Sequence, residues 1–194
     1  MAFAISAEQR LGRVLLRLAR LLAYSGGILL ALMAILTVVS VIGRRFSAMG
    51  LGPITGDFEL VEAGCAIAIF AFLPLAQLNR AHVTVDVFIH ALPMRLQCFL
   101  GFLGDLLMAL VSAVILWRFW LGFGELFPFG SDAFRGALAM GDKPFFAETT
   151  YELELPLWIP FGMALVGATF FAIVSLYTVW RSLNWTIAGQ EQPL

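Results

Sequence analysis

Four long, predominantly apolar runs constrain this chain more than any other feature of its sequence. They cover residues 22–42, 58–78, 96–117 and 155–180, and each is about as long as an α-helix that crosses a bilayer, roughly 20 residues. Lipid cannot satisfy free backbone donors and acceptors, and the runs do not alternate as the strands of a closed barrel do. We therefore predict an all-α integral membrane protein, with four transmembrane helices in a single membrane domain over residues 1–194.

The composition agrees with this prediction and excludes several function classes. The chain is 61% hydrophobic and 13% charged, whereas soluble domains are roughly 45–50% apolar and 25% charged. A net charge of −1 provides no basic surface for nucleic acid. Cys65 and Cys98 form no C-x-x-C pair, and no nucleophile–base or phosphate-loop motif is present. We expect no cofactor, no metal and no enzymatic activity.

The segment before the first run has a different pattern. Within residues 6–20, arginines at a 3-4-3 spacing share one helical face, and leucine and valine side chains occupy the other. This pattern predicts an N-terminal amphipathic helix that lies in the membrane interface and contacts lipid headgroups. The alternative is a simple extension of the first span. The run that follows is too long for the core of a cleavable signal peptide.

Lysine and arginine placement predicts the orientation of the spans. Seven of the twelve basic residues fall on the side that holds both termini and the connection between the second and third spans. Since cytoplasmic segments are enriched in Lys and Arg, both termini should be cytoplasmic. Arg44 and Arg45 run against this rule. The opposite side holds most of the acids and the long 118–154 loop.

Glu59 and Glu62 are the acidic residues near the start of the second span. They are three residues apart, so they share a helical face. Charged groups near a span end are readily hydrated, and we expect these carboxylates to pair with Arg44 or Arg45 across a short outer loop. A proton or cation relay, or contact with a partner subunit, stays open as an alternative.

Asp105 is the one acidic residue within the third predicted span, and it follows Gly101 and Gly104. Small residues let another helix approach closely. This pattern indicates an inter-helix hydrogen bond from Asp105, with an ion or proton site as the alternative.

His82, Asp86 and His90 lie four residues apart between the second and third spans. This spacing is compatible with a metal site on one face of a helix. The β-branched residues between His82 and Asp86, however, disfavour the helix that such a site would need. We expect these side chains instead to organise a tight inner loop with Arg80 or Arg95.

Several short motifs together resemble one family. They are an acid–leucine pair at Glu59–Leu60, the segment QLNRAHVTVDVF at 77–88, Arg45–Phe46 at the end of the first span, and LPLWIPFG at 155–162. With all four spans in order, the chain resembles the small (DctQ-type) membrane subunit of tripartite ATP-independent periplasmic (TRAP) transporters. The long outer loop is the departure from that pattern.

The resemblance implies a division of labour among three proteins. A large multi-span permease subunit would hold the substrate and sodium sites and move as an elevator, while a periplasmic binding protein delivers a small organic solute, commonly a carboxylate. The small subunit would brace the permease in the bacterial inner membrane, surrounded by lipids. Arg80, His82 and Asp86 would shape the inner loop, and Glu59, Glu62 and Arg44 or Arg45 the outer edge.

Two other classes of function remain open from the sequence. One is a self-sufficient channel or exporter that works as a homo-oligomer through Glu62 or Asp105. The other is a four-helix membrane redox protein, which would need bound metal or haem.

Overall fold

The computed structural model describes residues 5–81 and 93–189, and this part of the chain is predominantly helical. The elements are α1 (Ile5–Arg45), a 3-10 turn (Ser47–Met49), α2 (Asp57–Leu78), α3 (Met94–Leu126), α4 (Asp132–Ala137) and α5 (Trp158–Ala188). Four of these helices, α1, α2, α3 and α5, are long and apolar enough to cross a membrane. The prediction of an all-α membrane protein with four spans is confirmed.

The N-terminal segment is not a separate helix, because α1 continues unbroken through residues 6–20 into the first span. Its location in the membrane interface stays a prediction. Good helix formers fill the junction, and neither glycine nor proline interrupts it. Leu15 and Ala19 are buried in a cluster with Val174 and Tyr177 of α5. One face of the segment therefore packs against protein, while its four arginines are exposed.

The four long helices pack in the order α1, α2, α5, α3. Helix α2 lies against α1 on one side and α5 on the other, α5 lies against α3, and α1 makes a smaller contact with α5. The span in α5 is the most enclosed and the span in α1 the most exposed. The bundle thus leaves large apolar faces on α1 and α3 uncovered by the described chain.

Polar contacts define the two ends of this bundle. Near the start of α1, Glu8 accepts a hydrogen bond from Asn184 near the end of α5, so both described termini lie together at what we call the terminal end. At the opposite end, Arg44 of α1 pairs with Asp57 of α2. This loop end also carries the long connection from α3 to α5.

Arg135 organises that connection. Its side chain is only 1% exposed, and its guanidinium donates only to backbone carbonyls of the connection and of the end of α3. The acceptors are Gly124, Phe127, Phe129, Met140, Gly141 and Asp142, at 2.6–3.3 Å. After this clamp the chain forms a hairpin closed by an antiparallel bridge between Thr149 and Pro156. The loop end is therefore an ordered cap.

Gly167 permits the close crossing of α5 over α2. A Cβ at this position would lie 2.8 Å from the carbonyl oxygen of Phe70, which is backbone and cannot rotate away. We expect Gly167→Ala to lower the free energy of unfolding by roughly 1–3 kcal/mol through overpacking. Gly104→Ala on α3 is the matched control, because its Cβ would meet nothing within 4 Å, and it should be neutral or slightly stabilising. Unfolding in mixed detergent micelles measures both; equal stability of the two variants would contradict the crossing.

Candidate functional site

The terminal end of the bundle contains an ion pair between Arg80, just after α2, and the buried Asp105 of α3. Arg80 Nη2 lies 2.8 Å from Asp105 Oδ2, and the Asp105 side chain is 7% exposed against 29% for Arg80. A carboxylate in this position needs a charged hydrogen-bond partner, because burial removes its water. Asp105 thus joins two helices through its own charge.

Gln77 extends the ion pair to a third helix. Its Nε2 atom lies 3.3 Å from Asp105 Oδ1 and 2.9 Å from Thr178 Oγ1 of α5. The amide can donate two hydrogen bonds from one nitrogen, so it connects both acceptors at once. The polar network thus links α2, α3 and α5 inside an otherwise apolar bundle.

Arg181 of α5 lies beside this network and is 3% exposed. Its Nη2 donates to the carbonyl of Leu78 at 3.1 Å, and its guanidinium lies 4.9 Å from the ring centre of Trp185. The Arg80 guanidinium lies 4.7 Å from the same ring. Trp185 therefore contacts two guanidinium groups, an arrangement in which the electron-rich ring stabilises both cations.

Helix α1 joins the terminal end through Glu8. The Glu8 carboxylate accepts from the Asn184 amide, and the Glu8 carbonyl accepts from the Tyr177 hydroxyl at 3.3 Å. All four long helices are therefore connected by polar contacts at this end.

The loop end has its own charged cluster, centred on Asp57 at the first position of α2. Its carboxylate accepts from the Ser40 hydroxyl and from the Arg44 guanidinium. The Ser40 hydroxyl in turn accepts from the backbone N–H of Ile54 at 3.3 Å. A carboxylate at a helix N-terminus is also favoured by the helix dipole. Asp57 therefore fixes α1, the intervening turn and α2 together.

Glu59 attaches the hairpin to α2. Its carboxylate accepts from the backbone N–H groups of Glu152 and Leu153 at 2.7 and 3.1 Å, and the Glu152 carboxylate accepts from Gly56 N–H in return. Glu59 makes these contacts in place of the expected pairing with Arg44 or Arg45, and Arg44 pairs with Asp57. Side chains two positions apart on a helix point to different faces. Asp57 therefore contacts α1, whereas Glu59 contacts the hairpin.

A cavity of about 510 Å³ lies at the loop end between α2, α3, α5 and the hairpin. Glu59 and Glu62 provide its acidic groups, and most of the remaining lining is apolar. Glu62 is exposed and makes no hydrogen bond or ion pair with any residue that the structure describes. The cavity therefore combines apolar walls with one carboxylate that is free of contacts to the described residues.

The remaining predicted residues contribute differently. Arg45 is exposed at the last position of α1. His82 and Asp86 lie outside the described residues, so their role in the inner loop stays a prediction. Within residues 5–81 and 93–189, no three His, Cys, Asp or Glu side chains are grouped in a way that could hold a metal ion.

Sequence reasoning missed several residues that the structure places in these clusters. No contact is predicted from the sequence for Asp57, Gln77, Arg181 or Arg135, although Gln77 begins the family-like segment 77–88. A polar residue at the end of an apolar run was the available signal for Gln77 and Arg181. Nothing in the sequence distinguishes Arg135 from an exposed loop arginine.

Comparison with known proteins gives one family. Residues 33–184, more than half of the chain, match the family model described as "Tripartite ATP-independent periplasmic transporters, DctQ component". No curated protein and no solved structure matches the chain. The match includes all of α2 and α3, begins within α1 and ends within α5, near its last turn.

Proposed function

The chain belongs to the DctQ family of TRAP transporter components, and from that premise we propose that it is the scaffold that braces the large permease subunit. The members of this family are transporter components and not enzymes. The proposed transporter is a sodium-coupled importer of a small organic solute, a carboxylate, which a periplasmic binding protein delivers.

One observation carries the bracing role. The buried charge of Asp105 is paired with Arg80 and extended by Gln77 to a third helix. A group that moves protons or ions must exchange partners during its cycle, whereas these donors hold the carboxylate between fixed helices. This use of a buried charge favours a rigid support over a transport path.

The uncovered faces of the bundle support a stable partner. Within an apolar 18-residue stretch of α1 and of α3, only 11% and 17% of the residues are buried by the described chain. Large exposed apolar faces are compatible with lipid, and equally with the surface of another membrane protein. We propose that the large permease subunit covers part of this surface, and that it holds the substrate and sodium sites.

The proposed location is the bacterial inner membrane, with both termini in the cytoplasm. The basic side chains of residues 6–20 are exposed at the terminal end, and an excess of Lys and Arg is typical of cytoplasmic segments. A C-terminal epitope tag should resist added protease in intact spheroplasts and be lost after permeabilisation. Loss of the tag before permeabilisation would mean that the C-terminus lies on the periplasmic side.

Purification of the tagged chain from its own host, in mild detergent, tests the proposed function. We expect a larger multi-span permease to co-purify in near-stoichiometric amount, identified by mass spectrometry. We also expect no ion flux in liposomes that contain this chain alone. If the chain is recovered without a permease and conducts ions on its own in liposomes, the scaffold function is wrong and the chain is a self-sufficient channel.

A further inference from the structure

The exposed carboxylate of Glu62 requires an explanation that the chain itself does not provide. It lies within the apolar helix α2, five residues beyond the first residue, Asp57, or about 8 Å along the helix axis. Charged side chains in membrane helices are rare on lipid-facing surfaces and usually face a bundle interior, a water-filled cavity or a partner charge. Glu62 is exposed on the described bundle and contacts no cation there.

The cavity beside Glu62 indicates what kind of group would fit. Its volume of about 510 Å³ lies within the range of roughly 300–1,000 Å³ that is common for binding pockets. Ala63, Ala66, Phe119 and Phe161 contribute to its apolar walls. Its lining residues include two glutamates and no Lys, Arg or His.

The two glutamates are not equivalent. The Glu59 carboxylate is occupied by the N–H groups of Glu152 and Leu153, whereas Glu62 has no such donor. An incoming group would therefore meet apolar walls and one available negative charge. Lysine and arginine side chains have this complementary form, because an apolar stem ends in a cationic group.

We propose that this cavity receives a basic side chain of the large permease subunit, with Glu62 as its ion-pair partner. The inference rests on the proposed function, because it takes the permease as the neighbouring chain. Pairing would remove the isolated charge from the lipid-facing surface, and the apolar walls would exclude water from the pair. The interface would thus include the loop-end faces of α2, α3 and α5.

An amine-bearing phospholipid is the competing occupant. Its ammonium group could also approach Glu62, but its phosphate would carry a negative charge to a rim that already holds two carboxylates. No basic lining residue offsets that repulsion. Charge complementarity therefore favours a protein side chain.

Co-purification of the permease with Glu62 variants tests the proposal. We expect Glu62→Lys to lower the amount of permease recovered per small subunit at least about tenfold, since a like charge would then face the incoming cation. Glu62→Gln should give a smaller loss in the same direction. Glu125→Gln is the matched control, because Glu125 is an exposed carboxylate near the loop end that does not line the cavity, and recovery should equal the wild type.

A photo-reactive amino acid at Ala66 identifies the occupant directly in the assembled complex. We expect a covalent adduct with the permease, and peptide mapping should place it near a Lys or Arg. Size-exclusion profiles and thermal midpoints like those of the wild type establish that the variants are folded. If Glu62→Lys does not fold, Glu62→Gln and the adduct decide the question.

The outcomes separate this inference from the proposed function. Recovery of permease by the wild type and equally by both Glu62 variants overturns the inference alone. An adduct with lipid in place of permease does the same, and assigns the cavity to a phospholipid. Failure of the wild type to recover any permease overturns both proposals.

Discussion

We expect replacement of Asp105 with alanine to lower the free energy of unfolding by roughly 2–3 kcal/mol, because the partly buried Arg80 guanidinium loses the Asp105 carboxylate. Loss of one member of a fully buried pair costs about 3–5 kcal/mol. The smaller value is expected here because Arg80 remains 29% exposed and can reach water. Gln77 also loses Asp105 as an acceptor, although it keeps Thr178.

Unfolding in mixed detergent micelles, followed by tryptophan fluorescence, measures this effect. Glu125→Ala provides the control, since Glu125 is an exposed carboxylate on the same helix and should change stability by no more than about 0.5 kcal/mol. The double variant Arg80→Met with Asp105→Leu should regain at least half of the loss, because apolar groups of similar volume can replace a buried ion pair. An Asp105→Ala variant as stable as the wild type would mean that the pair does not join α2 to α3.

Arg135→Ala should have an even larger effect, confined to the loop end. The side chain is 1% exposed and donates to six backbone carbonyls. Each hydrogen bond to a charged group contributes about 1.5–3 kcal/mol. Some of these carbonyls can turn toward water once the arginine side chain is lost. We therefore expect the connection to be destabilised by roughly 3–5 kcal/mol, which is less than the sum of the individual hydrogen bonds.

Limited proteolysis detects this change more directly than global unfolding does. Cleavage between α3 and α5 should accelerate by about two to three and a half orders of magnitude, which is the expected loss expressed at 1.4 kcal/mol per tenfold. Arg135→Lys should be cleaved nearly as fast as Arg135→Ala, because an ammonium has only three donors and lacks the planar fork. Arg118→Ala, which removes an exposed arginine of α3, should be cleaved at the wild-type rate. If Arg135→Ala resists cleavage as well as the wild type does, contacts other than those of Arg135 keep the connection ordered.

The spans were predictable because hydrophobicity is a property of each residue in its own segment. The second predicted span, 58–78, almost coincides with α2 (Asp57–Leu78). The third was predicted to end at Trp117, but α3 continues to Leu126. Charged residues end an apolar run without ending a helix, since propagation of an existing helix needs no apolar face.

The pairing of charges was much less predictable. Hydropathy gives the depth of a residue but not its direction around the helix, so it could not distinguish Asp57 from Glu59 as the partner of Arg44. Asp105 and Arg80 are 25 residues apart in sequence and meet only because α2 and α3 both pack against α5. Such contacts depend on the packing of whole helices, which no local motif records.

Arg135 illustrates a different limit. In the sequence it is one basic residue within a polar connection, a context in which most arginines are hydrated. Its burial depends on six carbonyls that converge only after α4 and the following turn have formed. The burial of Arg135 is therefore a property of the folded connection and has no counterpart in the local sequence.

The length of α2 has a consequence for where the chain can lie in a membrane. Its 22 residues span about 33 Å, close to the roughly 30 Å of a bilayer's hydrocarbon core. The ion pair of Asp57 stands at one end of this helix, and that of Arg80 comes just after the other. Sliding the bundle along the membrane normal in either direction would draw one charged cluster into hydrocarbon. The two pairs thus favour a single height of the chain in the bilayer.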